Sequence, residues 1–222
     1  MTEPLPALVF DFDGTLIESA PEIRACLNRL LEAYGRPILT LPQVEKMIGN
    51  GVGKLVERGF MATGGMPEDF ETALARFVDI YNNAPIDETP LYDGVPETLA
   101  LLRDAGHVMA ICTNKLYTPT VKILEGIGLV HYFSVITGGD TFPVRKPDPG
   151  HLIGVLERLG IEPDDAIMIG DSPNDIGCAI AAGVRSIGVS YGYPGMPPAD
   201  MGATRLIDRF ADLPDAIASL SV

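Results

Sequence analysis

The residues best suited to chemistry stand in two acidic clusters. Asp11-Phe12-Asp13-Gly14-Thr15 closes an apolar run at Ala7–Phe12, and Gly170-Asp171-Ser172-Pro173-Asn174-Asp175 follows a second run at Ala166–Ile169. Two carboxylates two residues apart at a strand end can project towards the same side. Neither Asp11 nor Asp13 has a basic neighbour in sequence. Such a pair points to a hard cation, an acid/base couple, or both. The plain alternative is a solvated turn, because Asp-Gly is ordinary turn chemistry. In the second cluster a helix starting at Pro173 puts Asp175 one turn beyond Asp171, with Ser172 suited to the N-cap.

Two further segments are weaker on their own. Ile111-Cys112-Thr113-Asn114 ends another apolar run. A hydroxyl and free amides near a helix start can hold an anion, or can simply cap the helix. Lys146 lies in Arg145-Lys146-Pro147-Asp148-Pro149, where two prolines restrain the backbone. It is either presented by a restrained loop or solvated in a turn.

These residues need a scaffold that brings distant strand ends together. The expected strands are Ala7–Phe12, His107–Cys112, Phe133–Thr137, Ala166–Ile169 and Arg185–Ser190, each apolar or β-branched on both faces, as buried parallel strands are. Helical patterns at Val95–Ala105, Leu116–Ile127, Pro149–Leu159 and Pro173–Ala182 separate them, and Leu206–Ile207 and Phe210–Leu220 read as a late strand and closing helix. This alternation predicts an α/β fold, a Rossmann-like doubly wound parallel sheet with helices on both faces. Ligands bind at the carboxyl ends of such strands, which is where every candidate residue falls.

Between the first two strands the alternation stops. Ile23, Leu27, Leu30, Leu31 and Tyr34, then Val52, Leu55 and Val56, then Leu74, Phe77, Val78 and Tyr81 recur at helical spacing. An all-helical domain over residues 18–91 is expected, inserted into a core of residues 1–17 and 92–222. Ser19-Ala20-Pro21 and Pro85 through Pro90 supply its joints.

Composition narrows the partners. The chain of 222 residues carries 30 acids and 16 bases, a net charge of −14, with a pI near 4.5 and mean hydropathy of +0.20. That field repels nucleic acid and anionic membrane, and no apolar run is long enough for a membrane helix. The N-terminus lacks a basic region before its apolar stretch, which argues against a signal peptide. Cys26, Cys112 and Cys178 are scattered without metal-ligand spacing and read as buried thiols in a reducing cytoplasm. Nothing chooses between a monomer and a homodimer.

Asp11-Phe12-Asp13-Gly14-Thr15 at the end of an N-terminal strand resembles the haloacid dehalogenase superfamily of phosphohydrolases. Thr113-Asn114, Lys146-Pro147 and the GDSxND element resemble that family's remaining motifs in the family's order. The resemblance implies strand order 5-4-1-2-3, a helical cap, and Mg2+. It implies Asp11 as nucleophile and Asp13 as general acid/base. Thr113, Asn114 and Lys146 would stabilise the phosphoryl group. The metal would be held by Asp11, the Asp13 carbonyl and Asp171, with Asp175 supporting the metal or orienting Lys146. An Asp at position 13 fits phosphatases and phosphomutases rather than dehalogenases.

Met47-Ile48-Gly49-Asn50-Gly51-Val52-Gly53-Lys54 fits neither glycine-rich nucleotide motif: the P-loop register has Ile48 and Leu55 in place of its first glycine and final Ser/Thr, and Lys54 stands where GxGxxG needs glycine. It resembles the cap loop of phosphoglycolate phosphatases, and the segment from Leu16 to Gly35 resembles theirs as well. Glu18 and Leu116 depart from that pattern. Gly49, Asn50 and Gly51 are the expected cap residues at the substrate, while Lys54 and Arg58 are candidates for a substrate carboxylate or a solvated helix face. The expected reaction is hydrolysis of a small anionic phosphate ester, 2-phosphoglycolate first, through an aspartyl-phosphate. A β-phosphoglucomutase-like phosphomutase and a non-catalytic phosphometabolite-binding protein are the alternatives.

Overall fold

Apolar runs, the central ones buried on both faces, build a parallel sheet whose six strands among the described residues all point the same way. The computed structural model describes residues 5–84 and 90–220. The strands are β1 (Ala7–Phe10), β2 (Met109–Cys112), β3 (Val135–Thr137), β4 (Ala166–Gly170), β5 (Arg185–Val189) and β6 (Arg205–Ile207). Their spatial order is β3-β2-β1-β4-β5-β6, every pairing parallel. The expected order 5-4-1-2-3 is therefore present, with β6 added outside β5.

Side-chain alternation divides the core. Leu8 and Phe10 of β1 pack with Ile111, Ile167 and Ile169 on one face. Val9 points the other way, among Ala110, Cys112, Met168 and Leu152. Each fully buried Val, Leu, Ile, Phe or Met among them contributes roughly 1.5–3 kcal/mol. Helices α5 (Val95–Ala105), α6 (Tyr117–Gly126), α7 (Pro149–Leu159), α8 (Pro173–Ala182) and α9 (Leu213–Ala218) follow in the chain. α5 and α7 end at Gly106 and Gly160 in left-handed conformation, the cap that glycine adopts without steric penalty.

Several boundaries differ from the sequence expectation. β1 stops at Phe10 because the Phe12 carbonyl turns away to accept from the N–H groups of Thr15, Leu16 and Ile17. β3 starts at Val135, after a 3-10 turn at Val130–Tyr132. β2 starts at Met109 instead of His107. The closing helix is two pieces, a 3-10 turn at Phe210–Asp212 and then α9, where Pro214 lies in the first turn and gives up no hydrogen bond.

The inserted segment forms α1 (Ala20–Ala33), α2 (Leu41–Glu45), α3 (Val52–Ala62) and α4 (Phe70–Asn82). Leu27, Leu30, Leu31, Val44, Val56, Phe60 and Phe77 close a hydrophobic cluster of their own, separate from the two that cover the sheet. This is the helical cap of the fold. It joins the sheet through a bridge between Ile17 and Leu91 and a bond from the Glu18 N–H to the Pro90 carbonyl. Of the expected joint at Pro85–Pro90, residues 85–89 lie outside the described residues. Among those described, no helix is long and apolar enough to cross a membrane. The three cysteines are free and buried, and burial pushes the Cys26 and Cys178 thiols up to about 11.

Candidate active site

Register decides which residues meet. Phe10 pairs with Ile111 of β2 and Ile169 of β4, so the segments that follow these three strands leave the sheet at one edge. Asp11 leaves β1 there, Thr113 leaves β2, and Asp171 leaves β4. Asp175 reaches the same point from the first turn of α8, and Lys146 from the loop before α7.

The acidic side of this edge is buried and crowded. Lys146 Nζ lies 3.0 Å from Asp11 Oδ1 and 2.5 Å from Asp175 Oδ1. Asp175 Oδ2 accepts from the Ser172 N–H at 2.9 Å and its hydroxyl at 2.7 Å, which caps α8. Asp171 accepts from Thr15 Oγ1 at 3.3 Å and from the Tyr193 N–H at 2.6 Å. A Cβ on Gly14 would strike the Asp171 carboxylate, and its φ of +82° suits glycine. Burial, followed by the charge of Asp175, lifts Asp11 to about 6 despite Lys146. Burial and the other two acids hold Asp171 well above the usual carboxylate range. Burial opposes the Lys146 charge, yet Asp11 and Asp175 outweigh it and keep the ammonium above its ordinary range.

This edge suits a hard divalent cation. Asp11, Asp171 and Asp175 each offer an oxygen, all within 4.8 Å of one another. One lysine faces three buried carboxylates, so negative charge is left over. Asp11 Oδ1 is buried without an aligned hydrogen-bond donor, although the Lys146 ammonium is near. Oxygen donors in excess of positive charge are the chemistry magnesium takes. Both oxygens of Asp175 already hold protein donors, which ties that residue to Lys146 and the α8 N-terminus.

The other side of the edge faces the cap. A cavity of about 60 Å³ is lined by Asp11, Asp13, Thr113, Asn114 and Asp171 from the core and by Ile23, Gly49, Gly51, Leu55 and Tyr81 from the cap. Sequence reasoning missed Lys115. Its Nζ is 2.9 Å from Asp13 Oδ1, bonds the Tyr81 hydroxyl, and lies 4.6 Å from the centre of the Tyr81 ring. The signal was its position directly after Thr113-Asn114; what hid it was that Asp13 and Tyr81 lie far off in sequence. Burial pushes the Tyr81 hydroxyl well above its ordinary range.

The Asn114 side chain has contacts of its own, apart from the backbone N–H that the resemblance sets beside the phosphoryl group. Its side-chain amide donates to the Gly49 and Lys146 carbonyls, both at 2.8 Å, so those protons hold the cap loop and the lysine loop. Thr113 is buried, with Oγ1 accepting from the Lys115 N–H at 3.3 Å.

Gly49 and Gly51 reach the cavity, but Asn50 does not. Its Nδ2 donates to Asn174 Oδ1 at 3.3 Å and its Oδ1 accepts from Arg58 at 2.8 Å. Gly51 sits at φ +82°, and a Cβ there would come within 2.6 Å of the Arg145 guanidinium. Asn174, a second residue not singled out from the sequence, also donates to the Gly49 carbonyl at 3.1 Å. Lys54 and Arg58 line an outer cleft with Arg145 and Asp148. Lys54 pairs with Glu57, and Arg58 donates to the Met47 carbonyl. Neither lines the inner cavity.

Comparison with known proteins identifies the family. The sequence model of the haloacid dehalogenase-like hydrolases matches residues 8–189. Phosphoglycolate phosphatase of Rhodospirillum rubrum is 40% identical over 215 residues, covering 94% of this chain and 89% of that protein. Phosphoglycolate phosphatase 1 of Pseudomonas aeruginosa is 42% identical, covering 94% and 79%. A crystal structure described as a predicted phosphoglycolate phosphatase from Haemophilus somnus superposes with a TM-score of 0.92 at 30% identity, over 97% of this chain and 99% of that one. CbbY from Rhodobacter sphaeroides, solved with phosphate, gives a TM-score of 0.77 at 26% identity over 95% and 96%. The matched span runs from the first strand through both acidic clusters, and the chain belongs to the haloacid dehalogenase-like hydrolase family.

Proposed function

We propose that this protein is a magnesium-dependent phosphatase that hydrolyses a small phosphate monoester, 2-phosphoglycolate first among them, to the alcohol and inorganic phosphate. The observation that carries the reading is Asp11, ion-paired to Lys146 and sharing one small cavity with Asp13 and Thr113. The names of the relatives support the choice of ester. Residues 18–91 act as the cap domain that closes over the core formed by residues 1–17 and 92–222, excluding water from the reaction. The free thiols suit a reducing compartment such as the cytoplasm.

Asp11 acts as nucleophile, needing no deprotonation once ionised. Its oxygen attacks phosphorus, the bond to the alkoxide breaks, and Asp13 delivers a proton to the leaving oxygen. Asp13 then takes a proton from water, which attacks the aspartyl-phosphate and restores Asp11. Lys146 and the Thr113 hydroxyl balance charge on the phosphoryl oxygens, and Asp175 positions Lys146. Asp11, Asp171 and the Asp13 carbonyl would hold Mg2+, which supplies charge neutralisation of the phosphoryl group and nucleophile when bound.

The test is phosphate release from a panel of small esters, with and without chelator. Activity is expected to vanish on chelation and return with added Mg2+. Full turnover in excess chelator, or an isomerised sugar phosphate as product, would overturn the reading.

A further inference from the structure

The cavity must recognise whatever the phosphoryl group is attached to, and its walls are mostly apolar on that side. Ile23, Val52, Leu55 and Phe77 from the cap offer no charge to an anionic tail. The cap cations that were candidates for that purpose, Lys54 and Arg58, line the outer cleft. Among the described residues, Lys115 is the lysine or arginine that lines the inner cavity.

Lys115 is built in rather than draped over the surface. Its side chain is 2% exposed. It spans the junction between core and cap, bonding Asp13 on one side and the Tyr81 hydroxyl on the other. Tyr81 is itself fixed, its ring stacked on Phe77 with centroids 5.6 Å apart. A lysine ammonium has three N–H donors and no acceptor. A phenol whose oxygen accepts from that ammonium still has its own O–H to donate. Together they place a cation and a neutral donor in the lining of the cavity that also holds Asp11. Such a pair discriminates for a carboxylate and against an uncharged tail, because the ammonium donor that neither Asp13 nor Tyr81 takes is left unpaired against an apolar group.

We infer that Lys115, with Tyr81, is the specificity-determining pair that reads a carboxylate on the tail of the phosphate ester. The inference rests on the phosphatase reading and sharpens it: phosphoryl transfer belongs to the strand-end acids, while choice of ester belongs to the core–cap junction. Removing the ammonium penalises a carboxylate-bearing ester more than an ester of the same length without one. A merely structural lysine, needed only to position Asp13, would penalise both alike.

The experiment measures kcat/KM of the Mg2+-loaded enzyme for 2-phosphoglycolate and ethyl phosphate, in wild type, Lys115→Met and Tyr81→Phe. Methionine keeps the buried stem and removes the charge. Lys115→Met is expected to lower the preference for 2-phosphoglycolate over ethyl phosphate by about 30-fold or more. Tyr81→Phe, which retains the stacked ring, is expected to lower the same ratio about tenfold, and serves alone if Lys115→Met does not fold. A parallel loss on both esters, or a wild type with no preference between them, overturns the inference and leaves the phosphatase reading standing. A wild type that releases phosphate from neither ester removes both.

Discussion

The acidic side of the cavity and its cap side are held in contrasting ways. Asp11, Lys146, Asp171 and Asp175 all come from the core, and Lys146, Asp171 and Asp175 each hold two or more partners. On the cap side, Lys115 to Tyr81, Asn114 to Gly49 and Asn50 to Asn174 cross from core to cap by individual bonds between separate elements. A network with redundant partners keeps its geometry when the molecule moves. A junction of a few hydrogen bonds between separate elements can open and close, as a lid must to admit substrate. The contrast teaches a division of labour, in which fixed chemistry lies beneath an interface made to part.

The largest expected effect breaks the acidic side. Asp11→Asn should lower phosphate release by at least about 10²–10⁴-fold, while the metal-free protein unfolds no earlier than wild type. The second half follows from sign. An acid whose carboxyl is held up near 6 by burial binds its proton more tightly folded than unfolded. Stability is therefore lost as pH rises from the unfolded value towards 6, and stays lost above it. Asparagine has no such loss, so thermal unfolding of the metal-free variant should show a shallower decline over that range.

Next in size is a break within the cap. Phe60 is fully buried and meets Tyr34 edge-on at 5.2 Å. Phe60→Ala should cost about 3–5 kcal/mol in denaturant unfolding, because the cavity it leaves relaxes only in part. The sheet clusters share no residue with this one. A transition that splits in two, with the cap unfolding first, would sharpen the comparison.

Asn114→Ala removes one donor from both sides of the junction and should cost about 1–3 kcal/mol. Because one of its bonds holds the Lys146 loop, kcat should fall along with affinity in steady-state kinetics. The smallest effect is expected for Asn50→Ala, whose partners Arg58 and Asn174 are part-buried. A few-fold rise in KM with kcat held would mark it as a cap contact and not a substrate contact.

Much of the acidic side was legible in the sequence because its signals are local. Asp11-Phe12-Asp13 and Asp171 to Asp175 each occupy a few residues at a strand end, and parallel strands point those ends one way. Three cap helices, α1, α3 and α4, were legible for the same reason, since apolar residues at helical spacing declare a buried face; α2 was not, because its five residues bury Val44 alone and show no period. The cap side was not, because its contacts join residues far apart in the chain through flexible side chains. Nothing near Lys115 says that its ammonium reaches Asp13 and Tyr81. Nothing near Asn114 says that its amide holds two loops, or that Arg58 bends back onto the Asn50 loop. Strand ends were misjudged where a carbonyl turned away, as at Phe12, since apolar character continues after the ladder has stopped.

The central claim is that Asp11 carries the phosphoryl group in the course of turnover. Rapid acid quenching of the Mg2+-loaded enzyme during turnover of 2-phosphoglycolate, followed by peptide mass spectrometry, tests it directly. The account predicts a phosphorylated peptide whose modification maps to Asp11 and which is absent from Asp11→Asn. Phosphate release at full rate with Asp11 unmodified at every quench time, or with the phosphoryl group on another residue, would contradict it.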